Sequence, residues 1–143
     1  MEDFNDIHAK AYYNILATSS WIEARIKEAL KPFNLTHAQL NVLHLLYESH
    51  PRPVSANELK VKILVSNPDV TRLLDRLVKK GYVTRNPCPE SRRKIDISIS
   101  DSGKDIFLKA HQAGKRSVRD FFKEQITAEE AAELRRILHK MRG

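Results

Sequence analysis

Five side chains between Thr71 and Lys79 carry the most specific chemistry in this sequence. At helical spacing Thr71, Arg72, Asp75, Arg76 and Lys79 fall on one side, and Val70, Leu73, Leu74 and Leu77 on the other. A guanidinium is a rigid fork of donors that can bond both major-groove acceptors of guanine, and threonine suits a thymine methyl or a phosphate. The helix is expected over 67–80. Ser66, Asn67 and Asp69 place short polar groups at its start, where a groove-seated helix approaches base edges. Lys79 and Lys80 lie further along and reach phosphates at most. An ordinary amphipathic helix with a charged outside is the bland alternative.

The surroundings decide between the two. The 143-residue chain has a formal net charge of +7. From Leu59 to Lys94, ten basic residues face three acidic ones, so this segment holds the whole excess and the remainder balances. A basic surface gathered this way attracts a polyanion. A lipid-surface helix would set Trp, Phe or Leu beside its charges, yet the single tryptophan, Trp21, lies far off, so no membrane partner is expected. After the helix, Tyr82 to Arg85 is β-prone and Asn86 to Ser91 is turn-forming. Ile95, Ile97 and Ile99 alternate with Asp96, Ser98 and Ser100 as a half-buried strand. The two runs pair as a hairpin with a long tip over 86–94. Arg92, Arg93 and Lys94 there suit a narrow minor groove, and Arg85 adds a cation at its base. A solubilising turn is the alternative for the tip.

Other elements must position these groups. Thr36 with Gln39, Ser55 with Glu58 and Thr127 with Glu130 read as capping boxes that open helices; Ser66 with Asp69 is a variant containing Pro68. Phe4, Ile7, Ala11, Ile15, Ser19, Ile22, Ile26 and Leu30 form one stripe of a first helix. Such a helix is ~40 Å long, more than a small core is wide, so part of the stripe must pack on something else. Helices are expected over about 36–50 and 55–62, and a fifth from Ser100 to about Glu124. A sixth presents Leu134, Ile137, Leu138 and Met141.

Composition excludes other classes. Apolar residues make up 41% and charged ones 30%, the balance of one soluble domain. No window holds 18 apolar residues, and the acidic start lacks an apolar run, so neither a span nor a secretory leader is expected and the location is cytoplasmic. A lone cysteine, Cys88, excludes an intrachain disulfide and a thiolate metal cage. The six histidines show no metal-ligand spacing, and no glycine-rich phosphate loop or nucleophile motif occurs. We therefore expect no metal, no cofactor and no enzyme activity.

Two short helices followed by a basic hairpin make a winged helix-turn-helix. The segments from Leu35 to Leu43, from Val70 to Val83 and from Arg92 to Gly103, with Ile126-Thr127-x-x-Glu130, resemble the MarR family of bacterial transcription regulators. The resemblance implies a mainly α fold with a small β-hairpin wing. Residues 1–143 would form one domain, with dimerisation helices in 1–34 and 104–143 and a DNA-binding module in 35–103. It also implies a homodimer on a pseudo-palindromic double-stranded DNA operator, usually as a repressor. In many members a small phenolic or other apolar effector, or thiol oxidation, relieves repression; this first helix has no cysteine for the latter. Tyr12, Tyr13, Trp21, His44, Tyr47 and Phe107 are candidates for lining such a pocket, and each suits a core equally well. Glu90 and Ser91 stand where the wing commonly has paired Asp, a residue type that can brace an arginine of the recognition helix. The usual turn glycine is replaced near Leu64, and Lys60 follows Leu59 where Ala is usual. The competing reading is a winged-helix protein-interaction module whose basic face serves an acidic partner.

Overall fold

A computed structural model of the chain describes residues 5–63 and 69–143. Ser66, Asn67, Phe4 and the segment around Leu64 lie outside the described residues, as does the side chain of Arg92. Helix α1 spans Ile7–Leu30, opened by Asp6, whose carboxylate accepts from the His8 amide at 3.0 Å. Leu30 is buried and Ile22 and Ile26 are half-buried, while Ile7, Ala11, Ile15 and Ser19 are exposed. The stripe thus outruns the core, as its length requires. A single 3₁₀ turn, Lys31–Phe33, follows and ends at left-handed Asn34.

Helix α2, His37–Ser49, is the centre of the core, and both arms of the Thr36–Gln39 capping box are present. Its Val42, Leu43 and Leu46 are buried with Leu59, Leu77, Val83, Ile97 and Phe107. Removing a side chain such as Leu43 would cost about 2–5 kcal/mol through lost burial and the cavity left. Helix α3, Ala56–Lys62, is capped by Ser55, which accepts from the Glu58 amide.

Helix α4 spans Val70–Lys79, shorter at its start than the 67–80 expected. The reason is local: Asp69 is the N-cap, and its carboxylate accepts from the Arg72 amide at 3.0 Å. The helix ends in a Schellman motif. Gly81, at φ +80°, donates to the Val78 carbonyl, and Tyr82 donates to that of Leu77.

Strands β1, Val83–Cys88, and β2, Ser91–Ile99, pair antiparallel, with Val83 opposite Ile99 and Arg85 opposite Ile97. Val54 adds an antiparallel bridge to Ile97 on the far side of β2. The hairpin corrects the sequence reading, which took 86–94 as a long tip. Only Pro89 and Glu90 separate the strands, so Arg92, Arg93 and Lys94 lie on β2. Pro87 is tolerated because β1 is an edge strand with a register shift at Pro87/Cys88. Ile97 and Ile99 are buried as expected, but Ile95 is 51% exposed, beyond the reach of the core.

Helix α5, Asp101–Lys115, begins at the wing's base. Ser100 caps it by accepting from the Gly103 amide, and its hydroxyl donates to the Gly81 carbonyl at 2.6 Å. Gly103 presses on this junction: a Cβ there would overlap the Tyr82 carbonyl oxygen and lie 2.8 Å from Ile99 Cγ1. The long fifth helix expected to Glu124 is interrupted. A π turn, Arg116–Asp120, separates α5 from α6, Phe121–Gln125. Arg25 of α1 donates to the Ser117 carbonyl of that turn from Nε and Nη2, at 3.2 and 2.8 Å, and its guanidinium lies over the Trp21 and Phe121 rings. Helix α7, Ala128–Arg142, has a complete Thr127–Glu130 capping box and no buried residue.

Candidate nucleic-acid interface

Helix α4 is divided by its own periodicity. Val70, Leu73, Leu74 and Leu77 are buried; Thr71, Arg72, Asp75, Arg76 and Lys79 are exposed. Burial of one leucine-rich face fixes the helix, so the opposite face is presented as a rigid row. Asp69 serves the helix as its cap, a structural task for a residue that the sequence placed among nucleic-acid contacts.

The wing flanks this row. Arg85 shares a strand face with Val83, because alternate residues point the same way, and that face is turned toward α4. Its Nη1 lies 2.6 Å from Asp75 Oδ1. An acid on the helix therefore holds an arginine of the wing, the reverse of the brace implied by the resemblance. Period 2 sets Lys94 on the opposite face of β2 from Arg93, and both are exposed.

On the other flank, Lys80 Nζ donates to the Asn34 carbonyl and, at 3.4 Å, to Gln39 Oε1. Partial burial, helped by the Arg76 charge, lowers the Lys80 pKa from its ordinary value. Sequence reading did not single out this contact, since Asn34 and Lys80 are 46 positions apart.

The candidate pocket residues form three separate groups within the chain. Tyr12 and Tyr13 lie side by side on exposed α1, with ring centroids 4.5 Å apart. Trp21 packs on Phe121. His44, Tyr47 and Phe107 do come together, between α2 and α5, and His111 joins them with its ring 5.1 Å from Phe107 and 5.0 Å from His44. Burial first, then the neighbouring His44 and Lys115, lowers the His111 pKa from its ordinary value, against an opposing effect of Glu48. Among the described residues, no group of three or more His, Cys, Asp or Glu side chains is arranged to hold a metal ion.

Comparison with known proteins places this architecture. The family model described as MarR family matches residues 35–95. The multiple antibiotic resistance protein MarR of Escherichia coli is 33% identical over 117 residues, which cover 81% of this chain and 79% of that protein. The chain belongs to the MarR family. Another relative, the HTH-type transcriptional repressor YetL of Bacillus subtilis, is 30% identical over 73% of this chain and 71% of its own. Among solved structures, a mutant Escherichia coli MarR complexed with operator DNA superposes with a TM-score of 0.84 at 28% identity, covering 98% of this chain and 99% of the other. AbsC, a MarR family transcriptional regulator from Streptomyces coelicolor, shares the fold with a TM-score of 0.86 at 21% identity, covering 99% of this chain and 95% of its own. The winged helix-turn-helix expected from sequence is thus the fold of this MarR-family chain. No described helix is long and apolar enough to cross a membrane.

Proposed function

We propose that this MarR-family chain is a sequence-specific DNA-binding transcriptional repressor that acts as a cytoplasmic homodimer. The observation that carries the reading is the divided surface of α4: Val70 and three leucines buried, and Thr71, Arg72, Arg76 and Lys79 held outward on a fixed helix. In the proposed complex α4 enters the major groove with Thr71, Arg72 and Arg76 toward base edges and Lys79 toward phosphate. Arg93 and Lys94, with Arg92 beside them in sequence, serve the minor groove. Ser66 and Asn67, which precede the helix in sequence, are proposed to join these contacts. Arg85 acts through Asp75, fixing the wing.

Two features support the dimer. Helix α7 has no fully buried residue within its own chain: Leu138 is half-buried, and Leu134, Ile137 and Met141 are 43%, 41% and 60% exposed. The first half of the α1 stripe is equally uncovered. A second copy covers both through residues 1–34 and 104–143, leaving 35–103 as the DNA module. Two α4 helices then meet successive major grooves ~34 Å apart. The His44–Phe107–His111 cluster between α2 and α5 is where a small apolar or phenolic effector would act on the angle between these parts.

Selection of binding sites from genomic DNA by the purified protein tests the reading. Recovery of an inverted repeat, bound far more tightly than random duplex, is expected. Sequence-indifferent binding lost at moderate salt would instead favour the protein-interaction module. The relative YetL is a transcriptional repressor, which points to a regulator and not to an enzyme.

A further inference from the structure

Two adjacent lysines close α4, and the fold uses them differently. Lys79 is exposed with Arg72 and Arg76, whereas Lys80 is half-buried. The Lys80 ammonium donates to the Asn34 carbonyl and reaches Gln39 Oε1 at 3.4 Å. The backbone sets both ends of this link. The Lys80 amide donates to the Arg76 carbonyl at 3.0 Å, and the Schellman bonds of Gly81 and Tyr82 fix where its side chain begins. Asn34 is held in the left-handed region at φ 51°, with its amide donating to the Lys31 carbonyl at 3.0 Å. Gln39 Oε1 is itself held by the Thr36 amide at 3.1 Å. Helix α1 runs into the 3₁₀ turn without a break, so the Asn34 carbonyl lies at the negative end of that run, where a cation is favoured. Lys31, which starts the turn, is paired with Glu28 at 2.7 Å. The cation at Asn34 thus comes from α4, across 46 positions of sequence.

We propose that Lys80 is a positioning residue, an internal strut that sets the angle of α4 to the end of α1, and not a group that meets nucleic acid. Asp75 and Arg85 fasten the middle of α4 to the wing on one flank; Lys80 fastens its last residue to α1 and to the start of α2 on the other. In a pair of chains joined through α1, the α1–α4 angle fixes the separation of the two reading helices and hence the half-site spacing they accept. In that respect the inference rests on the dimeric DNA-binding reading above.

Two measurements on the full chain, comparing Lys80→Met with its neighbour Lys79→Met, decide it. The first needs no DNA. Hydrogen exchange of the Asn34 amide becomes severalfold faster in Lys80→Met, because the turn loses its tie and opens locally, and stays at the parent rate in Lys79→Met. The second uses the inverted-repeat duplex recovered by site selection and the same duplex with one base pair inserted between its half-sites. Lys80→Met keeps the parent slope of log Kobs against log salt, while Lys79→Met lowers it by about 0.9, the mark of a lost phosphate contact. The affinity penalty for the inserted base pair shrinks by about threefold in Lys80→Met, since a loosened α4 follows the shifted groove, and is unchanged in Lys79→Met. A salt slope lowered in Lys80→Met makes Lys80 a phosphate contact and overturns the strut, whatever the spacing penalty. An unchanged Asn34 exchange rate overturns it, and so does an unchanged spacing penalty. Lys80→Gln, with its shorter side chain, is read in the same way if Lys80→Met does not fold. If the parent binds no duplex, the DNA reading fails, while the exchange comparison still decides whether Lys80 holds α4 to α1.

Discussion

Asp75 Oδ1 lies 2.6 Å from Arg85 Nη1, and this pair fastens the middle of α4 to the first strand of the wing. Both side chains keep substantial exposure, so the pair adds only about 0.2–1 kcal/mol to stability. Its larger effect is on aim. Asp75→Asn frees a cation beside the reading face and loosens the wing. Affinity for random duplex should rise, and the preference for a selected operator should fall. Competition gel shifts check both; an unchanged preference would show that the pair does not set the wing's angle.

That pair shows what the sequence could and could not reveal. Local features were legible: the Thr36 and Thr127 boxes and the two faces of α4 depend on residues within one or two turns. The Asp75–Arg85 contact was not: Arg85 closes the run read as β-prone, and nothing local in the sequence sets that strand face against α4. Pro87 and Pro89 signalled a loop; edge pairing overrode Pro87, while Pro89 does stand in the turn. The α4 start slipped because two capping residues, Ser66 and Asp69, lie one turn apart, and the sequence offers no way to rank them.

Arg72→Ala and Arg76→Ala each remove a guanidinium from the exposed face of α4. A bidentate arginine–guanine contact discriminates by about 1–3 kcal/mol, so each variant should lose roughly tenfold or more against the selected operator and less against random duplex. Arg92→Ala and Arg93→Ala should weaken binding mainly where the flanks are A/T-rich. Wild-type titrations for all four would reassign the reading face.

Gly103→Ala places a methyl group against the Tyr82 carbonyl and Ile99 at the wing's base. Overpacking of this kind costs about 1–3 kcal/mol, which exceeds the helix-propensity gain of alanine over glycine. Urea denaturation should show the loss. Equal midpoints would mean that the junction relaxes freely.

Ile137→Glu introduces a charge among the exposed apolar residues of α7. In a dimer it buries an unpaired carboxylate. Solution scattering should report a halved mass and gel shifts a weakened complex at the same protein concentration, while the α2-centred core of each protomer is untouched. A variant that stays dimeric would remove α7 from the interface.

The His111 ring is packed against Phe107 and His44, and its environment favours the neutral form. Its folded pKa lies below the ordinary value of 6.5, so the unfolded chain takes up the proton first as pH falls. The stability that this group contributes is complete above pH 6.5. It is lost as pH drops from there toward the lowered folded value. Glu48 opposes the shift, whereas His44 and Lys115 reinforce it. His111→Phe keeps a flat ring in the cluster and removes the titrating site, so its melting temperature should fall less steeply than the parent's over this acidic window. Parallel curves would show that the imidazole is free to protonate in the fold.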